Sequence, residues 1–226
     1  VHSGGVEEAV NDGRIRDVTS LEGYLVGRLA TSGRVDAALA ASCWDIATCT
    51  DAETSVGFGP APSSTAALES GPSDVEIGRR WAVADAEAAA RCPVPALRTA
   101  ARSQGRGLLR AAAKMWPSPV SLTTVAGVHP EGPMWPVAVG AVSANAGVGR
   151  HGAAIVAAQA SVSGAAWAAV RLLGLDPFSV AALLADLTAA VDAVASEATE
   201  RLVSGEAASP NTASVVFAGT ETESRL

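Results

Sequence analysis

Aromatic side chains are scarce, with five Trp, three Phe and one Tyr in 226 residues. A core short of rings has to be assembled from Ala, Val and Leu, which suits close packing of helices. Lysine occurs once, at Lys114, so fifteen of the sixteen cations are Arg, a bias that high-GC coding also produces. The three cysteines, Cys43, Cys49 and Cys92, are odd in number and contain no CxxC pair, which excludes a disulfide framework and a thiolate zinc site and fits a reducing cytosol. His2, His129 and His151 are isolated, with no HxxxH spacing, so no closed transition-metal site assembles from sequence neighbours. No carboxylate pair and no activated Ser or Cys stands out either, so hydrolytic and redox catalysis have no signature here. The opening Val1-His2-Ser3-Gly4-Gly5 has no initiator Met, basic leader or apolar signal run, and reads as a chain whose true beginning lies upstream.

What is present is one domain's worth of chain, acidic overall at −7. A chain of this size hides roughly 70% of its unfolded surface and needs no disulfide or metal to hold it together. Helical signals dominate. Thr19-Ser20-Leu21-Glu22 reads as a capping box before Leu21, Leu25 and Leu29, and Gly33 separates this run from a second one carrying Val35, Leu39, Cys43 and Ile46 to about Thr48, the two forming a hairpin. Pro95 opens a long helix to Trp116, closed by Pro117 and Pro119 and interrupted by Gly105 and Gly107. Each of those glycines costs about 1 kcal/mol against Ala in a helix interior, which predicts close backbone approach by a neighbour. A further helix spans about His151 to Leu173, and Asp176-Pro177 starts a last one reaching Val203, with Glu197 and Arg201 as an i,i+4 pair.

The uncharged stretch from His151 to Val170 is long enough to cross a bilayer, but its Ala-rich composition with Gln159, Ser161, Ser163 and Gly164 reads as a buried helix. The expected organisation is all-α, a compact bundle of roughly eight to ten helices without significant sheet. Residues 1–204 form one helical domain with a mobile insertion at 57–78, and 205–226 form a loosely ordered tail.

The most unusual feature is electrostatic. Arg98, Arg102, Arg106, Arg110 and Lys114 fall at successive i,i+4 positions, and no Asp or Glu lies between Glu87 and Glu131. With Arg91 this window carries +6 while the rest of the chain carries −13. Like charges at that spacing cost about 0.2–0.5 kcal/mol per pair, so an unanswered stripe costs roughly 1–2 kcal/mol. Carboxylates elsewhere in the fold, or water, are the plain answer. Beside the Gly pair, the stripe also suits docking on an acidic protein surface, since Arg gives planar bidentate contacts. Nucleic acid is a rival, although no aromatic platform accompanies the cations and the net charge repels a polyanion. Gly147 to Gly152 spells GxGxxG, but no second strand ending in an acid follows, so a turn between helices is the better reading.

Three segments carry a family resemblance. Val1 to Ala9, containing His2-Ser3-Gly4-Gly5-Val6-Glu7, looks like the HSGGxE segment near the start of the urease accessory protein UreF family. Arg102-Ser103-Gln104-Gly105-Arg106-Gly107-Leu108-Leu109-Arg110 is similar to that family's glycine-arginine stretch ending in LLR. Arg171-Leu172-Leu173-Gly174 resembles its later Leu-Gly segment, although Leu175-Asp176 stands where the family has Gln. Order and spacing agree over roughly residues 1–50 and 80–203.

The resemblance implies an all-helical, dimeric, cytoplasmic nickel-insertion chaperone without catalysis of its own or a tightly bound cofactor. It also implies a bridge between a UreD/UreH-type protein and the GTPase UreG, through which nickel passes to apo-urease, with no nucleic acid or membrane partner. Carried over by motif, His2, Ser3, Gly4, Gly5 and Glu7, then Arg102, Ser103, Gln104, Gly105, Arg106 and Gly107, are candidate partner contacts; the stripe adds Arg98 and Arg110. A basic-helix nucleotide- or nucleic-acid-binding protein and a helical enzyme with an unrecognised pocket remain as alternatives.

Overall fold

The structure is a computed structural model that describes residues 5–54, 74–116 and 120–203. His2, Ser3, Gly4, the tail from 205 and most of the expected insertion lie outside the described residues. Every regular element among the described residues is helical, as the sequence predicts. In chain order these are α1 (Val6–Asn11), α2 (Val18–Arg28), a π-helical turn (Leu29–Gly33), α3 (Arg34–Thr54), α4 (Asp74–Ala90) and α5 (Pro95–Met115). They continue with α6 (Val120–Ala126), α7 (Trp135–Asn145), α8 (Arg150–Leu173), α9 (Pro177–Asp186) and α10 (Thr188–Val203).

The centre is a three-way contact of α3, α7 and α8, and its composition explains its tightness. Helix α8 buries Ala153, Ala154, Ala157, Ala158, Ala165 and Ala166, and α3 buries Ala37, Ala40, Ala41 and Ala47. Side chains this small let helix axes approach until backbones nearly touch. Gly140 of α7 marks one such approach to α3, where a Cβ would stand 2.4 Å from the Ala40 carbonyl oxygen and 2.5 Å from Cys43 Cβ. Helix α8 is long and apolar enough to span a membrane, yet its small-residue faces are spent on α3, α7 and α10, the arrangement expected of a core helix. Cross-links at its middle and at its N-terminus reinforce this: Arg28 Nε donates to the Ser161 carbonyl at 2.6 Å, and Arg150 pairs with Asp45 at 2.6 Å. Arg34 of α3 pairs with Glu197 of α10, tying the last helix to the core helix, while the Arg201 side chain of the expected Glu197–Arg201 pair lies outside the described residues.

Several local expectations change. The N-cap of α2 is Asp17, whose carboxylate accepts from the Ser20 amide at 2.8 Å while the Ser20 hydroxyl accepts from the Asp17 amide at 3.1 Å, so the helix begins before the Thr19-Ser20 box. Gly33 does not end a helix. It completes the π-helical turn through which α2 runs into α3, and α2 packs on α8 and α9 instead of folding back as a hairpin. Residues 74–78 of the expected insertion are the first turn of α4. The last helix bends by 41° around Leu187, which is buried, and the bend lets Val180 and Leu183 on α9 and Val191 and Ala195 on α10 all reach the core. Asp176 caps α9 as expected, accepting from the Ser179 amide at 2.9 Å.

Candidate partner-docking face

Helix α5 has two faces with different chemistry, and its sequence sets both. The buried residues Arg102, Gly105, Leu109 and Ala112 recur at intervals of three or four and press on α7 and α6. One of these four is an arginine. The Arg102 guanidinium donates through one nitrogen to Asp85 of α4 at 2.9 Å and to the Gly132 carbonyl at 2.8 Å. The other Asp85 oxygen accepts from the Met134 amide at 2.7 Å, so both carboxylate oxygens are used. Arg102 and Asp85 are 7% and 4% exposed, which makes this an internal ion pair.

Its effect is to strap the α6–α7 connection across α5. Gly132 adopts φ +97°, and a Cβ there would meet Arg106 Cβ at 2.7 Å. A Cβ on Gly105 would stand 2.1 Å from the Pro133 carbonyl oxygen. The close approach predicted for the glycine pair is therefore real at Gly105, but the neighbour is the chain's own 132–134 backbone.

The basic stripe divides accordingly. Arg98 donates to the carbonyls of Cys92 and Pro93 at 2.8 and 2.9 Å, bracing the turn before α5. Arg102 is turned inward, so it does not present its guanidinium to a partner as the sequence reading had it. Arg106, Arg110 and Lys114 are exposed and have no acidic partner among the described residues. Ser103, Gln104 and Gly107 are exposed as well, and a Cβ on Gly107 meets nothing within 4 Å. The remaining candidates that are described sit elsewhere: Gly5, with φ +88°, is the N-cap of α1 beside Tyr24, and Glu7 lies in the first turn of α1, which packs on α8.

Sequence reasoning missed Asp85 and a recess beside it. The signal for Asp85 was available, because it falls on the stripe Ile77, Trp81, Ala84 and Ala88, and an acid within an apolar helix face has to be paired once buried. The recess, a cavity of about 1530 Å³, is walled by Arg28, Asp36, Cys92, Gln104, Trp135 and Ser161. Burial pushes the Asp36 carboxyl up to about 7, with Arg28 acting against it. Burial likewise raises the Cys92 thiol, with Arg98 lowering it and Asp36 raising it further, which keeps the thiol protonated. Among the described residues no three His, Cys, Asp or Glu side chains gather into a metal-binding group.

The Asp36 shift has a thermodynamic consequence with a definite sign. Between about pH 4 and about pH 7 the native chain holds a proton that the unfolded chain has released, so this group makes stability fall as pH rises across that window. Asp36→Asn is therefore expected to be more stabilising at pH 8 than at pH 5 in urea denaturation; an equal effect at both would contradict the assignment.

Comparison with known proteins decides the family. The model of the UreF family matches residues 15–188, which spans both faces of α5 and the helices that position them. The chain belongs to the UreF family. It is 40% identical over 200 residues to the urease accessory protein UreF of Mycobacterium sp. (strain JLS), covering 88% of this chain and 78% of that one. It is 38% identical over 202 residues to UreF of Mycolicibacterium vanbaalenii, covering 89% and 79%. UreF of Mycobacterium tuberculosis strain H37Rv is 34% identical over 204 residues, with the same two coverages of 89% and 79%. No solved structure gives a significant match. As a UreF-family member the chain is a urease accessory protein and not itself an enzyme.

Proposed function

We propose that this chain is the helical scaffold of a urease-maturation complex in the cytoplasm. In this reading it bridges a UreD/UreH-type accessory protein and the GTPase UreG, works as a homodimer, and nickel passes through the assembly to apo-urease as cargo. Family membership supports the maturation role. The observation that carries the docking role is the outward row Arg106, Arg110 and Lys114, three cations without an acidic neighbour among the described residues, on a chain that is otherwise strongly acidic. Such a row loses self-repulsion and gains charge-assisted hydrogen bonds when a carboxylate-bearing surface covers it.

Arg106→Glu/Arg110→Glu should lower retention of the accessory partners in a pull-down at least tenfold with far-UV circular dichroism unchanged, because neither side chain takes part in the Arg102–Asp85 pair. Retention by the unaltered chain should also weaken as NaCl rises from about 0.05 to about 0.5 M, as exposed charge pairs are screened. Undiminished retention by the double variant would overturn the docking role.

A further inference from the structure

The outward face of α5 holds a second row beside its cations. Ser103, Gly107 and Ala111 are all exposed and, like Arg106, Arg110 and Lys114, follow one another at intervals of four. Rows at that interval are the ridges and furrows by which helices interdigitate. Here a furrow of small side chains runs alongside a ridge of long cationic ones, with no described side chain near the site of a Gly107 Cβ.

Gly107 is the point to explain. Gly105, two residues away, is required by the Pro133 carbonyl, whereas nothing within the chain's described residues requires Gly107. A glycine in the interior of a helix weakens it unless some backbone uses the space. Unanswered charge and an unused glycine are separate observations, and they meet on one face.

We propose that α5 receives a helix from an acidic partner in the Ser103-Gly107-Ala111 furrow, crossing at Gly107, with carboxylates on that helix meeting Arg106, Arg110 and Lys114. The inference rests on the docking role above and adds its mode: intimate helix crossing, not a loose electrostatic rim. The inclination of two interval-of-four rows gives a crossing near −50°, and glycine at the crossing point brings the axes to the short end of the 8–10 Å range. A second copy of this chain is the less suitable occupant, because self-pairing of the face sets the three cations of one copy against the same three of the other. A polyanion matches the ridge but makes no use of the furrow.

The experiment compares Gly107→Ala, Gly107→Leu and Arg106→Glu/Arg110→Glu in the full chain by thermal melting and by affinity for whichever accessory protein the pull-down retains. Ala182→Leu, on the exposed side of α9, serves as a control for adding bulk. Gly107→Ala should raise the melting temperature of the isolated chain by about 2–4 °C. Gly107→Leu should keep a melting temperature at or above that of the unaltered chain, yet weaken partner binding at least tenfold, with Ala182→Leu binding as the unaltered chain does. If charge reversal weakens binding and Gly107→Leu does not, the crossing is wrong and the docking role stands. If neither weakens binding, both fall. Loss of self-association by light scattering in Gly107→Leu with partner binding intact would assign the furrow to a second copy, and loss of a filter-bound 30-nucleotide RNA alone would assign the ridge to nucleic acid; either overturns the proposal.

Discussion

Arg102→Ala is expected to destabilise the chain by about 3–5 kcal/mol, a large share of the roughly 5–15 kcal/mol that holds a domain of this kind together. The loss is not that of a surface arginine. Removing the guanidinium leaves the Asp85 carboxylate 4% exposed with the Met134 amide as its one remaining partner, and it releases the Gly132 carbonyl as well. Asp85→Ala should cost a similar amount, because it strands the guanidinium instead. Replacing both partners together, as Arg102→Met/Asp85→Leu, removes two buried charges at once and should cost much less than either single change. Urea denaturation midpoints of the three variants check this. Near-equal, additive losses of about 1 kcal/mol each would mean that the pair behaves as an exposed one and that Arg102 is available to a partner after all.

Gly105→Ala is expected to destabilise by about 1–3 kcal/mol or more, against the ordinary trend for a helix interior. Elsewhere in a helix that change favours folding by about 1 kcal/mol, since alanine is the better helix former. At Gly105 the new methyl would lie 2.1 Å from a backbone oxygen that is fixed from both sides, by the Met134 amide on Asp85 and by the Gly132 carbonyl on Arg102. The strap has to move, and moving it strains the buried ion pair. At Gly107 the same substitution meets nothing. Two changes of identical chemistry, two residues apart on one helix, should therefore shift the melting temperature in opposite directions. Shifts of the same sign would remove the physical basis for assigning α5 an inner and an outer face.

That division was partly legible in the sequence. The limits of α5, its proline start, the need for close approach at a glycine and the burial of the alanine-rich α8 all follow from composition and spacing. What the spacing also contains is the fate of each cation. A step of four residues advances about 40° around a helix, so five cations in such steps turn through about 160° and cannot share one face. Once Leu109 and Ala112 fix the inward direction, Arg98 and Arg102 fall on or beside it, while Arg106, Arg110 and Lys114 wind out to solvent. The gently winding stripe was visible; its inward end was not, because nothing within the helix says where the acid that admits an arginine to the core will come from.

That acid, Asp85, is supplied by α4, and the connection that completes the site by α6 and α7. Long-range pairings of this kind are invisible to local periodicity. The π-helical turn at Leu29–Gly33 escaped for a related reason: a glycine after a helical run signals a helix end, whereas here the backbone continues helical through Gly33, which packs against Ser161 of α8. The Arg34–Glu197 pair escaped for the same reason, since it joins α3 to a helix at the other end of the chain.

The most direct test is restoration of urea hydrolysis in cells that carry urease structural subunits, nickel and the other accessory proteins but no UreF-type factor of their own. Expression of this chain should raise activity and urease-bound nickel at least tenfold over the empty vector, and Arg106→Glu/Arg110→Glu, present at the same level, should return both to that baseline. Activity restored equally by the double variant would contradict an outward cationic face as the seat of its function, and no restoration by the unaltered chain would contradict the maturation role itself.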